Sequence, residues 1–213
     1  YQANKTFFWQ IALTNSSGTS YFNTSQVNQT VNNISFSSCG GDGGNVLYIN
    51  FTFKDETTDS YINASTDLST WSYYFGNGAQ TKSLIFTNTS MNPSYDFCFN
   101  GGNRTVKHTV TYQYSSSGYP QRQYYQSGSL TNSSTNKILY LLGSGGIYSS
   151  FQIVNNINIP ISGVTIQIER QFSGIWTIIS QSTSDSSGLV TFWLNPNYDH
   201  RITATKTGYS TSQ

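Results

Sequence analysis

The sequence has few charged residues. Asp, Glu, Lys and Arg make up 9% of its 213 residues and the formal net charge is +1, whereas an ordinary soluble domain carries roughly 25% charged residues. It has no run of Lys or Arg that would attract nucleic acid or an anionic lipid surface. We therefore expect neither partner, and we expect a polar, nearly uncharged surface whose hydroxyl and amide groups keep their charge state in acid.

Long apolar runs and helix signals are also missing. No apolar stretch approaches the roughly 18 residues of a membrane-spanning helix, so no membrane span is predicted. Short segments of β-branched and aromatic residues instead alternate between clusters of Gly, Asn and Ser, which is typical of strands and turns. The sequence predicts an all-β fold of two Ig-like β-sandwich domains. Because it starts at Tyr1 rather than Met, we expect an extracellular, cell-surface protein whose signal peptide has been removed.

Cysteine is scarce, with only Cys39 and Cys98 present, each beside a Gly-rich turn. In a secreted chain the simplest interpretation is a disulfide, which closes a loop of about 60 residues and contributes roughly 4 kcal/mol by limiting the unfolded chain. The alternative is two buried free thiols, which is more typical of the cytosol.

Residues that could carry enzyme chemistry are few. Asp55, Glu56 and Asp59 cluster in KDETTD, but we interpret this stretch as a solvated turn rather than a glycosidase pair. Asp42 lies in a tight Gly-rich turn without the regular oxygen ligands of a calcium loop. His108 shares a strand face with apolar residues and is predicted to be packed rather than metal-binding. We therefore predict no enzyme activity, no metal and no cofactor other than N-linked glycans.

Acceptor triplets for N-glycosylation, Asn-x-Ser/Thr, occur only in the first two thirds of the chain. After residue 150 there are still five Asn residues and many Ser and Thr, but no acceptor triplet. The chain is therefore expected to have a sugar-coated part and a bare part, and a bare surface suits a contact between subunits. The ten acceptors are Asn4, Asn15, Asn23, Asn28, Asn33, Asn50, Asn63, Asn88, Asn103 and Asn132.

The N-terminal stretch KTFFWQIALTN, residues 5–15, reads as one apolar strand. With a period of two, one face holds Phe7, Trp9, Ile11 and Leu13, and this alternation predicts at least one buried side. The Gly-rich stretch around residue 145 is the best linker candidate and coincides with the end of the acceptor triplets. We divide the chain into an N-terminal strand (1–15), a glycosylated sandwich (16–146) and a second sandwich (147–213).

The C-terminal segment carries a recognisable order of turns and strands. Gly163 leads into a Val-Ile-Ile strand, an SDSSG turn and a VTFWL strand follow, and the segment closes with RITATKTGY. This order resembles the prealbumin-type sandwiches known as carboxypeptidase-regulatory-like or Cna protein B-type domains. Some of these contain a Lys–Asn isopeptide bond, but the strand from Val164 to Arg170 has no Lys, so that bond is not expected here.

The resemblance implies a further closing strand after the Gly-Tyr pair, for which only four residues remain. A sandwich without that strand would leave an apolar groove and an unpaired edge. The N-terminal strand of another copy could fill it, which would give an open, head-to-tail fibre. This layout resembles donor-strand-complemented filaments: bacterial chaperone-usher pili and the glycosylated threads of hot-acid archaea, whose charge-poor composition the chain shares.

Several alternatives stay open at this point. The N-terminal strand can instead pair within its own domain, residues Phe151 to Ile157 can serve as the extra edge strand, and either sandwich can be the acceptor. A different function class is a monomeric carbohydrate-binding or adhesin module that stacks surface glycans on exposed aromatic rings. Its candidate residues are Trp71, Tyr73, Tyr74, Tyr124 and Tyr125.

Overall fold

A computed structural model of the chain describes residues 3–31, 34–41, 44–100 and 102–212. These residues form β-strands and no helix, so none of them belongs to a helix that could cross a membrane. The all-β prediction is therefore confirmed. The strands are β1 (Ala3–Phe7), β2 (Gln10–Asn15), β3 (Gly18–Asn23), β4 (Val27–Val31), β5 (Phe36–Ser38), β6 (Val46–Asp55), β7 (Ala64–Tyr74), β8 (Thr81–Asn92), β9 (Ser94–Phe99), β10 (Val106–Ser116), β11 (Tyr119–Leu130), β12 (Thr135–Leu141), β13 (Ile147–Gln152), β14 (Thr165–Phe172), β15 (Ile175–Thr183), β16 (Leu189–Leu194) and β17 (His200–Thr205).

Two four-stranded sheets form the first sandwich. One sheet has the order β11-β10-β7-β8 and is antiparallel throughout, and the other has the order β12-β6-β9-β5. Within the second sheet, β12 runs parallel to β6 because a long excursion through the first sheet separates them. The core between the sheets is unusually aromatic: Trp71 lies 4.8 Å from the Phe36 ring and 5.0 Å from the Phe97 ring, centre to centre.

The alternation in β6 shows how the sequence selects buried residues. Ile49, Phe51 and Phe53 point into the core, while Asn50 on the opposite face is half-buried. Tyr48 breaks the pattern and is fully buried, because the pairing of β6 with β9 shifts by one residue between Leu47 and Ile49. Such a bulge turns a side chain from one face towards the other. The Tyr48 hydroxyl is 2.7 Å from the carbonyl oxygen of Gly102.

The disulfide between Cys39 and Cys98 ties the end of β5 to β9. Their Cα atoms are 4.9 Å apart, a separation typical of disulfides. Because β5 has only three residues and pairs with β9 alone among the described strands, this covalent bond holds a strand whose ladder is short.

The second sandwich is smaller and packs the sheet β15-β14-β17 against the pair β13-β16. The SDSSG turn expected from the sequence is present: Asp185 Oδ1 accepts hydrogen bonds from the backbone N–H groups of Ser187 and Leu189. Gly188 in this turn has φ +74°, a conformation that glycine adopts without strain. The buried residues between the sheets are Val164, Ile166, Ile168, Ile179, Val190, Phe192 and Leu194, together with Tyr140 from β12.

A buried ion cluster joins the two sandwiches. Glu56, directly after β6, is fully buried, and its carboxylate lies 2.6 Å from Arg122 of β11 and 3.8 Å from Arg170 of β14. Arg122 also donates to the Trp193 carbonyl oxygen at 2.7 Å. The interpretation of KDETTD as a solvated turn is therefore wrong for Glu56, because two arginines distant in sequence compensate its desolvation.

Candidate assembly site

The N-terminal segment forms an extended β-hairpin, hereafter the hairpin (residues 3–31). Strand β1 pairs with β4, and β2 pairs with β3. Neither core cluster of the described residues includes a residue of the hairpin. The four apolar residues singled out from the sequence remain exposed, with Phe7 at 39%, Trp9 at 71%, Ile11 at 50% and Leu13 at 58%.

The single strand expected over residues 5–15 is divided in two. Phe8 and Trp9 lie across from three residues, 24–26, so one side of the hairpin has an extra residue. Trp9 links the two sides of the hairpin at this irregularity. Its carbonyl oxygen accepts a hydrogen bond from the Thr24 N–H at 2.9 Å, and its own N–H donates to Thr24 Oγ1 at 3.0 Å. Period-two alternation predicted the apolar faces but could not reveal the partner residues 18–31.

Directly opposed residues of an antiparallel pair share a face, so the half formed by β2 and β3 has one mainly apolar and one mainly polar face. In the other half, Phe7 and Val27 share their face with the polar pair Lys5 and Gln29. In β2 and β3, Ile11 opposes Phe22 and Leu13 opposes Ser20, while the other face carries the pair Gln10 and Asn23. A hairpin that exposes an apolar face to water is only marginally stable alone. This face therefore gains free energy if another surface covers it.

Strand β17 is an incompletely covered edge of the second sandwich. It pairs with β14 on one side, and on the other side the only described partner is Ser212, which bridges Ala204 through N–O distances of 2.9 and 3.1 Å. Ile202 and Ala204 oppose Ile168 and Ile166, so they face the core, yet both are only half-buried. The edge beside Ile202 can accept a further strand.

The proposed substitute edge strand, Phe151 to Ile157, does not close this edge. Its first two residues belong to β13, which pairs with β16 in the opposite sheet. Phe151 packs against the second core from that side. Among the described residues, the edge of β17 before Ala204 therefore has no strand beside it.

A second groove, which the sequence did not predict, lies between the two sandwiches. It has a volume of about 390 Å³ and runs between β12 and β15, each of which pairs on one side only within the part of the chain that the structure describes. Leu139, Trp176 and Ile178 provide apolar lining, but Lys137 and Glu169 line it as well. An apolar strand in this groove would take charged groups out of water, which costs free energy.

The aromatic residues suggested as a sugar-binding platform do not form one. Trp71, Tyr73 and Tyr124 are buried in the first core, and only Tyr74 and Tyr125 are partly exposed. Alternation predicted that some of these rings are buried, but it could not tell which face of β7 turns inward. Trp71, a candidate of the alternative sugar-binding function, is fully buried and cannot stack on a glycan in this fold.

The remaining sequence-predicted residues are dispersed. His108 is buried in the first core, and burial lowers its pKa to about 4. Asp55 accepts a hydrogen bond from the Tyr119 hydroxyl at 2.5 Å, while Asp59 pairs with Lys54. The described residues contain no group of three metal-ligating side chains. Asp42 lies outside the described residues.

The N-glycosylation acceptors are spread over the hairpin and the first sandwich. Four belong to the hairpin, namely Asn4, Asn15, Asn23 and Asn28. Asn50 contacts Asp96 through its side-chain nitrogen, and Asn132 Nδ2 lies 2.6 Å from Asn103 Oδ1. Asn63 is exposed and Asn88 is half-buried, while Asn33 lies outside the described residues.

Comparisons with known proteins give little further information. No family model matches the chain, and no curated protein matches it. Among solved structures, the chain is similar to a streptococcal ancillary pilin, with 9% identity over 91% of this chain and 74% of that chain and a TM-score of 0.27. A likeness at this level supports no argument about function, so the function proposed below depends on the hairpin and the edge of β17.

Proposed function

We propose that this chain is a structural subunit of an extracellular, N-glycosylated surface filament, in which the hairpin of one subunit completes the second sandwich of the next. The filament would serve adhesion or contact between cells, with identical subunits as its partners. The residues proposed to enter the contact are Phe7, Trp9, Ile11 and Leu13.

The observation that carries this proposal is that one chain has both an uncovered apolar hairpin and an incompletely covered sheet edge. The hairpin exposes apolar side chains that belong to neither core of their own chain, and β17 leaves core-facing Ile202 and Ala204 half-buried. Aligned beside β17, strand β2 would supply backbone hydrogen bonds, and its alternate side chains Ile11 and Leu13 would extend the second core. A single contact between two subunits would therefore cover the apolar side chains of the hairpin and the open edge of β17.

The acceptor is proposed to be the edge of β17 rather than the groove between β12 and β15. The core-facing side of β17 presents Ile202 and Ala204, whereas the groove would bury Lys137 and Glu169. The second sandwich also contains no N-glycosylation acceptor. Large sugars therefore do not obstruct a close approach to β17.

This contact would generate a fibre. Donor and acceptor lie on different surfaces of each subunit, so the interface is heterologous and repeats without closing unless the rotation happens to form a ring. We propose that the two sandwiches act as the domains of the subunit, divided near residue 146, and that residues 3–31 form the donor. The donor is thus longer than the fifteen residues expected from the sequence.

The proposal is tested by following assembly of the purified full chain by sedimentation and negative-stain electron microscopy. A variant lacking residues 1–31 keeps both cores and the edge of β17 but has no donor. We expect the full chain to form fibres above a critical concentration, the truncated variant to stay monomeric, and small amounts of it to shorten the fibres by capping one end. Fibres formed by the truncated variant, or a full chain that remains monomeric at high concentration, would overturn the proposal.

A further inference from the structure

We propose that the hairpin is N-glycosylated on its polar face, at Asn23 and Asn28, so that the sugars cover the surface opposite the docking face. The docking half of this inference rests on the proposed function. The modification half stands on the geometry of the hairpin alone.

The register of the hairpin separates these acceptors from the apolar side chains. Asn23 opposes Gln10, whereas the neighbouring residue Phe22 opposes Ile11 on the other face. Asn28 opposes Thr6, whereas its neighbour Val27 opposes Phe7. A shift of one residue along a strand changes the face, so each acceptor lies directly behind an exposed apolar pair.

The hydrogen bonds of the two acceptors leave the reactive atom available. Asn23 Oδ1 accepts from Gln10 Nε2 at 3.2 Å, and Asn28 Oδ1 accepts from the Thr6 hydroxyl at 2.7 Å. Nδ2 of Asn23 and Asn28 makes no hydrogen bond within the described part of the chain. Both side chains are exposed. A hydrogen bond to Oδ1 therefore fixes each amide in place, while its Nδ2 stays accessible at the surface.

The modification is ordinary glycosyl transfer. Nδ2 attacks the anomeric carbon of a sugar linked to a lipid or nucleotide diphosphate, the bond from that carbon to the phosphate oxygen breaks, and the diphosphate leaves. Nδ2 loses one proton, which ends on the departing diphosphate or in solvent, and keeps the other. Because Oδ1 is unchanged, the hydrogen bonds from Gln10 and Thr6 can persist in the glycosylated hairpin.

The polar face also offers a surface for the sugar itself. Tyr21 lies two residues before Asn23, opposes Ala12 on the same face, and is 65% exposed. A sugar on Asn23 can cover the Tyr21 ring, since the apolar face of a pyranose packs well on an aromatic ring. This explains a large exposed aromatic residue on the face that does not dock.

The consequence is a one-sided donor. A glycan on Asn23 or Asn28 prevents packing on the polar face and leaves Ile11, Leu13 and Phe22 free. A sugar on the apolar face would instead hold the acceptor away by its bulk. Asn15 opposes Gly18 on the face of Ile11 and Leu13, so the inference requires Asn15 to stay unmodified in subunits that assemble. Moving one glycan by a single residue should therefore abolish assembly without altering the number of sugars.

The test moves the acceptor from one face to the other in the full chain, secreted from a host that N-glycosylates proteins. The double variant Phe22→Asn/Asn23→Gln completes a new acceptor triplet with Thr24 on the apolar face and removes the one on the polar face. The control Phe22→Gln/Asn23→Gln lacks both. Ala12→Asn completes a triplet with Thr14 and adds a further acceptor to the polar face.

We expect glycopeptide mass spectrometry of the unaltered chain to find sugars on Asn23 and Asn28. Ala12→Asn should assemble with a critical concentration within about twofold of the unaltered chain, and the Gln control should need roughly tenfold more protein because a half-exposed aromatic anchor is lost. The glycosylated Asn variant should not assemble, and enzymatic removal of its sugar should restore assembly to the level of the Gln control.

Two results would overturn the inference. One is Asn23 and Asn28 without sugar while Asn132 in the same sample is modified. The other is a glycosylated Phe22→Asn/Asn23→Gln variant that assembles as readily as its Gln control. If the unaltered chain never assembles, the proposed function and the docking half fail together, while the sugar occupancy of Asn23 and Asn28 still decides the modification half.

Discussion

Removing the two apolar residues of β2 should weaken assembly by a calculable amount. Ile11 is 50% exposed and Leu13 is 58% exposed in the free chain. Full burial of such a side chain contributes roughly 1.5–3 kcal/mol, so covering the exposed half of both contributes roughly 2–3 kcal/mol. The double variant Ile11→Ser/Leu13→Ser should therefore raise the critical concentration about 30- to 150-fold.

The matched control changes two residues of the same strand on its other face. In Gln10→Ser/Ala12→Ser the critical concentration should stay within about threefold of the unaltered chain, because these side chains face away from the contact. Sedimentation of each variant over a range of concentrations measures the effect, and circular dichroism verifies that the sandwiches remain folded. Equal critical concentrations for both double variants would refute the reasoning.

Two further predictions concern the stability of the subunit. Burial lowers the pKa of His108 to about 4 from about 6.5 in the unfolded chain, so the free energy of unfolding should be highest above pH 6.5 and fall by roughly 3 kcal/mol towards pH 4. Urea titrations should detect this loss, and His108→Phe should remove most of it; an unchanged pH profile in the variant would contradict the assignment. At the junction, a Cβ atom on Gly146 would lie 2.4 Å from the Trp193 ring, whereas one on Gly143 would find no atom closer than 3.6 Å. Gly146→Ala should therefore destabilise the chain by roughly 1–3 kcal/mol, whereas Gly143→Ala should be close to neutral. Equal melting temperatures for the two variants would contradict this prediction, because they would show that the Trp193 ring moves aside at little cost.

The strands of the two sandwiches were largely predictable from alternation. The VTFWL stretch, residues 190–194, was expected to form a strand, and it makes up all of β16 except Leu189. Strand β6 shows the same alternation at Ile49, Phe51 and Phe53, and its ladder continues to Asp55, the partner of Leu141. Such segments are readable because a half-buried strand imposes a period of two on its own sequence.

The N-terminal segment shows where such local information ends. The alternation from Phe7 to Leu13 identified the exposed apolar residues, but the pairing of β2 with β3 and the extra residue opposite Trp9 depend on residues 18–31. A weakly apolar partner strand with several Asn residues has little periodic signal. The hairpin, and with it the two-faced arrangement of Asn23, could not be predicted from the donor strand alone.

The sequence by itself determined the all-β class, the approximate strands, the polar surface and the residues available for glycosylation, because composition and period two are properties of short segments. The tertiary structure decided which faces turn inward: it buried Trp71 and Glu56, turned Tyr48 into the core through a bulge, and left Ile11 and Ile202 incompletely covered. These outcomes depend on partners distant in the chain, such as the two arginines that compensate the Glu56 carboxylate. A short segment cannot specify them, since the free energy of burying a side chain depends on the groups that surround it.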